Sequence, residues 1–443
     1  MLEFKEVVVI GNGPSGIALS SFLSGWAPYS TEHPNSFINQ HLSKNVSLLE
    51  QDLSWYMPEH EINAGPSQTL YSSLFDQLMR PTNSEKQNCL EYVYRADCVV
   101  DHVVLGDSLI GGSWNNYPEN MAIISNSNWM SLPGFSIEDW TNSQLLPTRL
   151  PSKYILEYFR YYAKHMRIEK NFMENTTVTN VSKVSLDETK ELVWLVQGIY
   201  ASGLRFSILC KKVVLASGKN EKKMLGVEGE LNASDIVYDC REMKQLLTQK
   251  SHSKRKQSNQ VVVIGDGISA ADSIVRCLTN NWKVLHVFRK TAQQLKSTMI
   301  GRLSPDVYPE YAQVYGLMIE RSSHPLYECL PGQSIKKIYP NKKIELNGPT
   351  KQQINYRCLA VCIGLQTNMS FMEEKYTFTN DYQSIQDPSL YAIGSVAGDH
   401  FVRFLIGGAF RVAQKLIVER NANQKLPFAS CCCFVDINAN IIC

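Results

Sequence analysis

An α/β fold is predicted for this chain, with two doubly wound parallel-sheet units, the second inserted in the first. Two short β-branched runs each end in a glycine-rich turn: Val7-Val8-Val9-Ile10-Gly11-Asn12-Gly13-Pro14-Ser15-Gly16 and Val261-Val262-Val263-Ile264-Gly265-Asp266-Gly267-Ile268-Ser269-Ala270. Each turn leads into an amphipathic stretch, and further buried-strand patterns follow both. In such a unit the first glycine makes the tight turn, and the second lets the backbone approach a pyrophosphate. The third small residue, Gly16 or Ala270, lets helix and strand pack closely, so that the first turn, which contains Pro14 and Ser15 in one unit and Ser269 in the other, points its free N–H groups at phosphate. Two such turns imply two dinucleotides, with a hydride passed from one to the other. The fold class is therefore two Rossmann-like dinucleotide-binding domains.

The elements justify this in order. The first turn feeds a helix from about Gly13 to Leu23. A ribose-binding acid is expected about 20 residues later, at the tip of a second strand. Val46-Ser47-Leu48-Leu49-Glu50 supplies strand and acid after a polar insertion, Trp26 to Asn45; Glu50 is the candidate, against the reading of a surface carboxylate. Pro151 to Arg167 reads as a helix whose Tyr154, Ile155, Tyr158, Phe159 and Tyr162 form a core-facing stripe. Strands follow at Thr177 to Val184, Leu192 to Tyr200 and Ser207 to Leu209, then a buried strand, Lys212 to Leu215, closes in the small-residue turn Ala216-Ser217-Gly218.

After the second fingerprint, the strand Lys283 to Phe288 ends in Arg289-Lys290, with no carboxylate at its tip. An acid there would bind the 2′-hydroxyl of NAD, whereas a cation pair suits a 2′-phosphate and selects NADPH. Leu359 to Gly364 closes this domain, and Leu390 to Gly394 returns the chain to the first. The pair Gly407-Gly408 opens an expected helix, Ala409 to Glu419, whose N-terminal dipole would face a flavin pyrimidine. The expected layout is a discontinuous first dinucleotide domain, 1–225 with 366–427, an inserted NADPH domain, 226–365, and an irregular tail, 428–443.

Composition narrows the function classes. The chain has 443 residues, 44% hydrophobic and 19% charged, with a net charge of +2. That balance gives no electrostatic case for nucleic acid, and Lys254-Arg255-Lys256 reads as a solvated loop. No apolar run approaches the roughly 20 residues of a membrane span. Met1 lies so near the first buried strand that no leader is expected, and the 12 cysteines read as reduced thiols of a cytoplasmic protein. No CxxC or GxSxG occurs, and the nine histidines show no metal-ligand spacing.

Several segments together carry a resemblance: Gly11 to Gly16, His102-Val103-Val104-Leu105-Gly106, Gly111-Gly112-Ser113-Trp114, Trp129-Met130-Ser131-Leu132-Pro133, Ala397-Gly398-Asp399 and Phe401-Val402-Arg403-Phe404. Over nearly its whole length the chain resembles the oxidative stress-induced growth inhibitor family, a branch of the flavin-containing monooxygenase-like proteins. The resemblance implies FAD in the first domain, NADPH in the second, molecular oxygen as co-substrate, and a role in restraining growth, with a protein partner in that control. It also implies that Gly112 and Trp114 run beside the FAD, and that Asn126 is the catalytic polar group where oxygen meets the flavin; a structural turn-capping Asn is the alternative.

Two departures bear on the chemistry. Where the wider family has FxGxxxH, this chain has Ala233, Asp235 and Asp239; the extra carboxylate is expected to repel nucleotide phosphates and uncouple oxygenation. The Gly-Asp pair expected at the C-terminal flavin strand is Gly394-Ser395, with Asp399 four residues late. Three readings follow: a monooxygenase or an uncoupled NADPH oxidase releasing hydrogen peroxide; a disulfide reductase, which the missing CxxC disfavours; and a flavin-binding regulatory module with little turnover.

Overall fold

The computed structural model describes residues 3–56, 69–81, 88–143, 146–186, 191–239, 242–243, 245, 260–347 and 353–424. The expected tail and the Lys254-Arg255-Lys256 loop lie outside them. The chain divides into two compact units, one spanning Met1–Gly218 and resuming at Met369, the other Lys219–Asn368.

The first unit begins with β1 (Glu3–Ile10), whose run of β-branched residues suits a strand buried on both faces. Val7 and Val9 join one apolar cluster, and Val8 and Ile10 another, as the period of two requires. Helix α1 (Pro14–Leu23) follows at once, with Pro14 at its first turn, where its missing N–H costs nothing. The chain then leaves the sheet. An antiparallel pair, β2 (Ser24–Ser30) and β3 (Leu90–Val99), brackets helix α2 (Leu70–Met79), whose Thr69 cap accepts from Ser72 N–H.

The expected polar insertion at Trp26 to Asn45 thus contains a strand. The expected strand at Val46–Glu50 is instead a single 3-10 turn, Leu48–Glu50, capped by Ser47. The true second strand of the unit is β4 (His102–Leu105), parallel to β1 with Ile10 beside Leu105.

Helix α3 (Ser152–His165) buries Ile155, Tyr158, Phe159 and Tyr162, the expected stripe, while Tyr154 stays exposed. Beyond β5 (Phe172–Met173) come β6 (Thr176–Ser185), β7 (Leu192–Tyr200) and β8 (Arg205–Leu215). The last is one continuous strand where two were expected. Its first half pairs antiparallel with β7, while its opposite edge runs parallel to β1.

In the second unit, β9 (Ile236–Val237), β10 (Gln260–Ile264), β11 (Lys283–Phe288), β12 (Tyr327–Pro331) and β13 (Cys358–Val361) form a parallel sheet in the order β9-β13-β10-β11-β12. Helix α4 (Ile268–Thr279) leaves β10 through the second glycine turn, and α5 (Pro309–Met318) leads towards β12.

Back in the first unit, β14 (Leu390–Ala392) pairs in parallel with the second half of β8, along the edge that β7 has vacated. The sheet order is β5-β4-β1-β8-β7-β6, with β14 beside β8. The last element is α6 (Val402–Gln424). The pair Gly407-Gly408 therefore lies inside the helix rather than opening it. A side chain at Gly407 would stand 2.4 Å from Tyr71 O, and one at Gly408 2.7 Å from the Tyr382 ring. Here glycine allows α6 to lie against α2. The helices are further locked by Phe22, Phe75 and Phe410, with ring centroids 6.0, 5.8 and 4.9 Å apart, each pair adding about 0.5 to 1.5 kcal/mol beyond burial.

Candidate functional site: two glycine loops

In the first unit the tips of β4, β1 and β8 are laced together, Gly11 N–H donating to Leu105 O at 2.7 Å and Ala216 N–H to Ile10 O at 2.8 Å. Gly11 has φ +123°, and a Cβ there would lie 2.2 Å from Ala216 O, so only glycine fits. At Gly16 a Cβ would lie 2.0 Å from Gly11 O, which lets α1 start directly over the strand end. Gly13 differs: apart from its own chain neighbours, no atom of the described residues lies within 4 Å of where its Cβ would be. The loop is thus tight where it meets protein and open where a pyrophosphate is expected.

Neighbouring segments close around it. Asn12, 2% exposed, donates through Nδ2 to Ser108 O at 2.7 Å, and its carbonyl accepts from Gly111 N–H at 3.0 Å. The Gly111-Gly112 turn then lies on the loop, a Cβ at Gly112 standing 2.9 Å from Gly13 Cα. A Cβ at Gly394 would stand still closer to Ser15, 2.2 Å from its Oγ, and one at Gly218 would lie 3.5 Å from Ser395 Oγ. Beside them Ser217 Oγ is buried with no hydrogen-bond partner. An orphaned hydroxyl next to unsatisfied first-turn N–H groups fits an anionic, hydrogen-bonding ligand such as a dinucleotide.

The expected residues of this unit divide. Gly11, Gly13, Pro14, Ser15, Gly16, Gly112, Gly218, Gly394 and Ser395 converge here. Trp114 packs its ring on Phe159 and Tyr117, with centroids 5.7 and 5.3 Å away. Asn126 is half-buried at the head of a 3-10 turn, Ser127–Met130, where its carbonyl accepts from Trp129 N–H at 3.0 Å. Arg403 stacks over Trp129 at 4.1 Å and binds Asp76, which also holds Arg80 at 3.0 Å; this ties the first turn of α6 to that segment.

Three expectations are corrected. Glu50 is spent on Arg95, with oxygens 2.6 and 3.1 Å from the guanidinium, because its segment lies outside the parallel sheet. The acid at the tip of the true second strand is the exposed Asp107, which the spacing argument missed because it stopped at the first acid after the insertion. Asp399 is fully buried and accepts from Thr69 N–H at 3.0 Å and Tyr382 O–H at 2.8 Å. Burial pushes its carboxyl above the usual range despite those bonds. It braces α2 against the C-terminal turn. Gly407 and Gly408 serve packing, so the helix end available to a ligand is at Val402.

The second loop repeats the first. Gly265 has φ +123° and would place a Cβ 2.2 Å from Cys362 O, while Gly267 has open space around it and Ala270 is buried. Ser269 is exposed in the first turn. At the tip of β11, Arg289 is exposed, whereas Lys290 pairs with Asp266 at 3.1 Å. The two cations are therefore not equivalent. His286 is fully buried, 2.6 Å from Gly265 O and 2.8 Å from the Tyr327 hydroxyl.

The segment where the family pattern is lost has its own local logic. Asp235 takes a left-handed φ of +63° and pairs with Lys342, keeping a conformation that glycine would favour. Asp239 accepts from Glu242 N–H at 2.8 Å and faces Lys222 at 4.0 Å. Lys222 is thus the cation that faces its charge. The seven cysteines described are all free thiols. No described helix is long and apolar enough to cross a membrane.

Comparison with known proteins agrees with this geometry. Residues 96–392 match the family described as pyridine nucleotide-disulphide oxidoreductase. An oxidative stress induced growth inhibitor homolog of Caenorhabditis elegans is 38% identical, with 95% of each chain covered. Human oxidative stress-induced growth inhibitor 2 is 31% identical, covering 93% of this chain and 92% of its own. In fold, the chain is similar to a bacillithiol disulfide reductase from Bacillus cereus (TM-score 0.61, 13% identity, 94% and 100% covered) and to an ornithine hydroxylase from Pseudomonas aeruginosa (0.59, 11%, 94% and 100%). A cadaverine monooxygenase from Erwinia amylovora, bound to FAD, is similar at 0.56 and 13%, over 99% and 100%. The chain belongs to the pyridine nucleotide-disulphide oxidoreductase family of flavoproteins and, with these relatives, to the oxidative stress-induced growth inhibitors.

Proposed function

We propose that this protein is a cytoplasmic, FAD-dependent oxidoreductase of the monooxygenase type that consumes NADPH and acts in growth regulation under oxidative stress. The observation that carries this reading is the pair of loops, each closed to a side chain at its first glycine and open at its second. In the first unit, Gly11, Gly13, Ser15, Gly16, Gly112 and Ser217 would hold the FAD pyrophosphate, and Asp107 takes the ribose role expected of Glu50. In the second, Gly265, Gly267 and the first turn of α4 would hold the NADPH pyrophosphate. Arg289 would meet the 2′-phosphate, while Lys290 stays with Asp266.

The bound flavin supplies the electron transfer and oxygen chemistry; the protein's part is binding, orientation and exclusion of water. Asn126 is proposed as the polar group at the reacting edge. A disulfide-exchange reading lacks its reactive pair among the described cysteines, since Cys358 and Cys362 are buried in and beside β13. The regulatory reading without turnover rests on the altered Ala233 to Asp239 segment.

One experiment separates these. NADPH and NADH oxidation are followed for the wild type and Arg289→Ala, with hydrogen peroxide measured alongside. A charge-assisted phosphate contact is worth about 1.5 to 3 kcal/mol, so Arg289→Ala should lose at least tenfold with NADPH and little with NADH. Equal losses with both nucleotides would remove the 2′-phosphate role. Absence of any NADPH consumption by the wild type would leave the regulatory reading.

A further inference from the structure

We infer that His286 is a positioning residue for the nucleotide loop of the second unit, donating from Nε2 to the Gly265 carbonyl while the Tyr327 hydroxyl fixes its other nitrogen. The inference rests on the reading of that unit as the NADPH-binding one.

The geometry assigns the protons. A carbonyl oxygen only accepts, so the 2.6 Å contact with Gly265 O requires hydrogen on Nε2. Complete burial holds the ring neutral, with its pKa pushed down to about 4 against the opposing pull of Gly265 O and Asp266. Nδ1 therefore keeps a lone pair, and Tyr327 O–H donates to it at 2.8 Å. The relay crosses three neighbouring strands, from β12 through β11 to the end of β10, beneath the loop.

Its consequence lies in one peptide group. Gly265 N–H donates to Val287 O at 3.1 Å, so with His286 on its carbonyl this glycine is tethered through both backbone polar groups. The direction of that carbonyl sets the peptide plane leading to Asp266 and Gly267, whose N–H groups belong to the phosphate cradle. A carbonyl turned the other way would present a lone pair to an anion. At the left-handed φ of +123° the chain's own preferences do not fix this direction, and the clash with Cys362 O fixes only the absence of a side chain. Among the described residues no side chain is recorded on the carbonyl of the first loop's Gly11. The buried histidine of that unit, His102, bonds Ser20 Oγ at 2.8 Å and Val100 O at 2.8 Å, away from the glycines.

The test uses the full-length flavin-loaded protein, titrated with NADPH, in wild type, His286→Leu, His286→Gln and Tyr327→Phe. His286→Leu should raise the dissociation constant for NADPH about tenfold, the loss appearing in KM and not in kcat, with flavin content unchanged. His286→Gln, whose amide can donate to the same carbonyl, should recover most of it. Tyr327→Phe removes only the hydroxyl and should give a smaller loss, with Gly265 O still holding the Nε2–H tautomer and the Nδ1 ¹⁵N resonance displaced as that nitrogen loses its hydrogen bond. Should His286→Leu fail to fold, Tyr327→Phe decides. Wild-type affinity in His286→Leu, no recovery with Gln, or unchanged ¹⁵N shifts in Tyr327→Phe would overturn the inference. Failure of the wild type itself to bind NADPH would overturn the cofactor reading on which it stands.

Discussion

Gly13 and Gly16 sit three residues apart in one loop, yet substitution should act on different properties. At Gly13 the φ is −76° and the space is open, so a side chain strains nothing in the protein but occupies the phosphate position. Gly13→Val should therefore fold with a melting temperature near that of the wild type and emerge colourless, whereas Gly16→Val, with its Cβ forced to 2.0 Å from Gly11 O, should lose the fold itself. Normal flavin content in a folded Gly13→Val would remove the loop from the cofactor site. The buried histidines give a second prediction. His102 is wholly desolvated, which lowers its pKa to about 4, and its ring nitrogens bond Ser20 and Val100. A depressed histidine pKa contributes stability that is fully present above the unfolded value of about 6.5 and is lost as pH falls through the window towards 4, a loss of about 3 kcal/mol for one such group. Asp399, its pKa raised by burial, works in the opposite sense. Chemical denaturation between pH 7 and 4 should thus show a falling stability that is shallower in His102→Gln; identical slopes would mean that His102 is not the group titrating.

At the scale of elements, the strands next to glycine turns were legible because β-branched runs ending in glycine have few other solutions; β1, β10 and β11 match their expected cores. The second strand of the first unit was not. Between α1 and β4 the chain makes an excursion, through β2 and β3, that carries its own alternating pattern, and Leu48-Leu49 looked like a strand although Ser47 caps it as a turn. The stretch His102 to Gly106 was visible only as a resemblance, so Glu50 was chosen and Asp107 passed over. Helix α6 misled for a different reason. Glycine favours helix ends by intrinsic preference, but here close packing overrides it, because Tyr71 O and Ser72 Cα leave no room at Gly407. The expected outcome for Gly407→Leu is a destabilisation of about 1 to 3 kcal/mol or more from overpacking, read as a lower denaturation midpoint. A neutral result would mean that α2 and α6 separate more easily than their packing indicates.

At the scale of the whole molecule, duplication of one turn chemistry in two units is the ground on which two nucleotides rather than one are proposed. Each unit has its own sheet with parallel strands flanking the fingerprint strand, its own open second glycine and its own buried histidine on the strand beside the fingerprint strand. The paired loops and the arginine at the β11 tip were readable from sequence, because backbone turns and strand-end charges are local. The orphaned Ser217 hydroxyl, the Asp266–Lys290 pair and the Tyr327–His286 relay were not, since each depends on segments distant along the chain or on which neighbour a side chain finds first. The central claim is that both loops are loaded and that electrons pass between their occupants. The most direct test is the visible spectrum of the purified protein before and after anaerobic addition of NADPH. The expected result is a yellow protein with flavin absorption near one equivalent that bleaches on adding NADPH and does so far less readily with NADH; a colourless folded protein, or a yellow one that NADPH leaves unbleached, would rule out paired loading of the two loops.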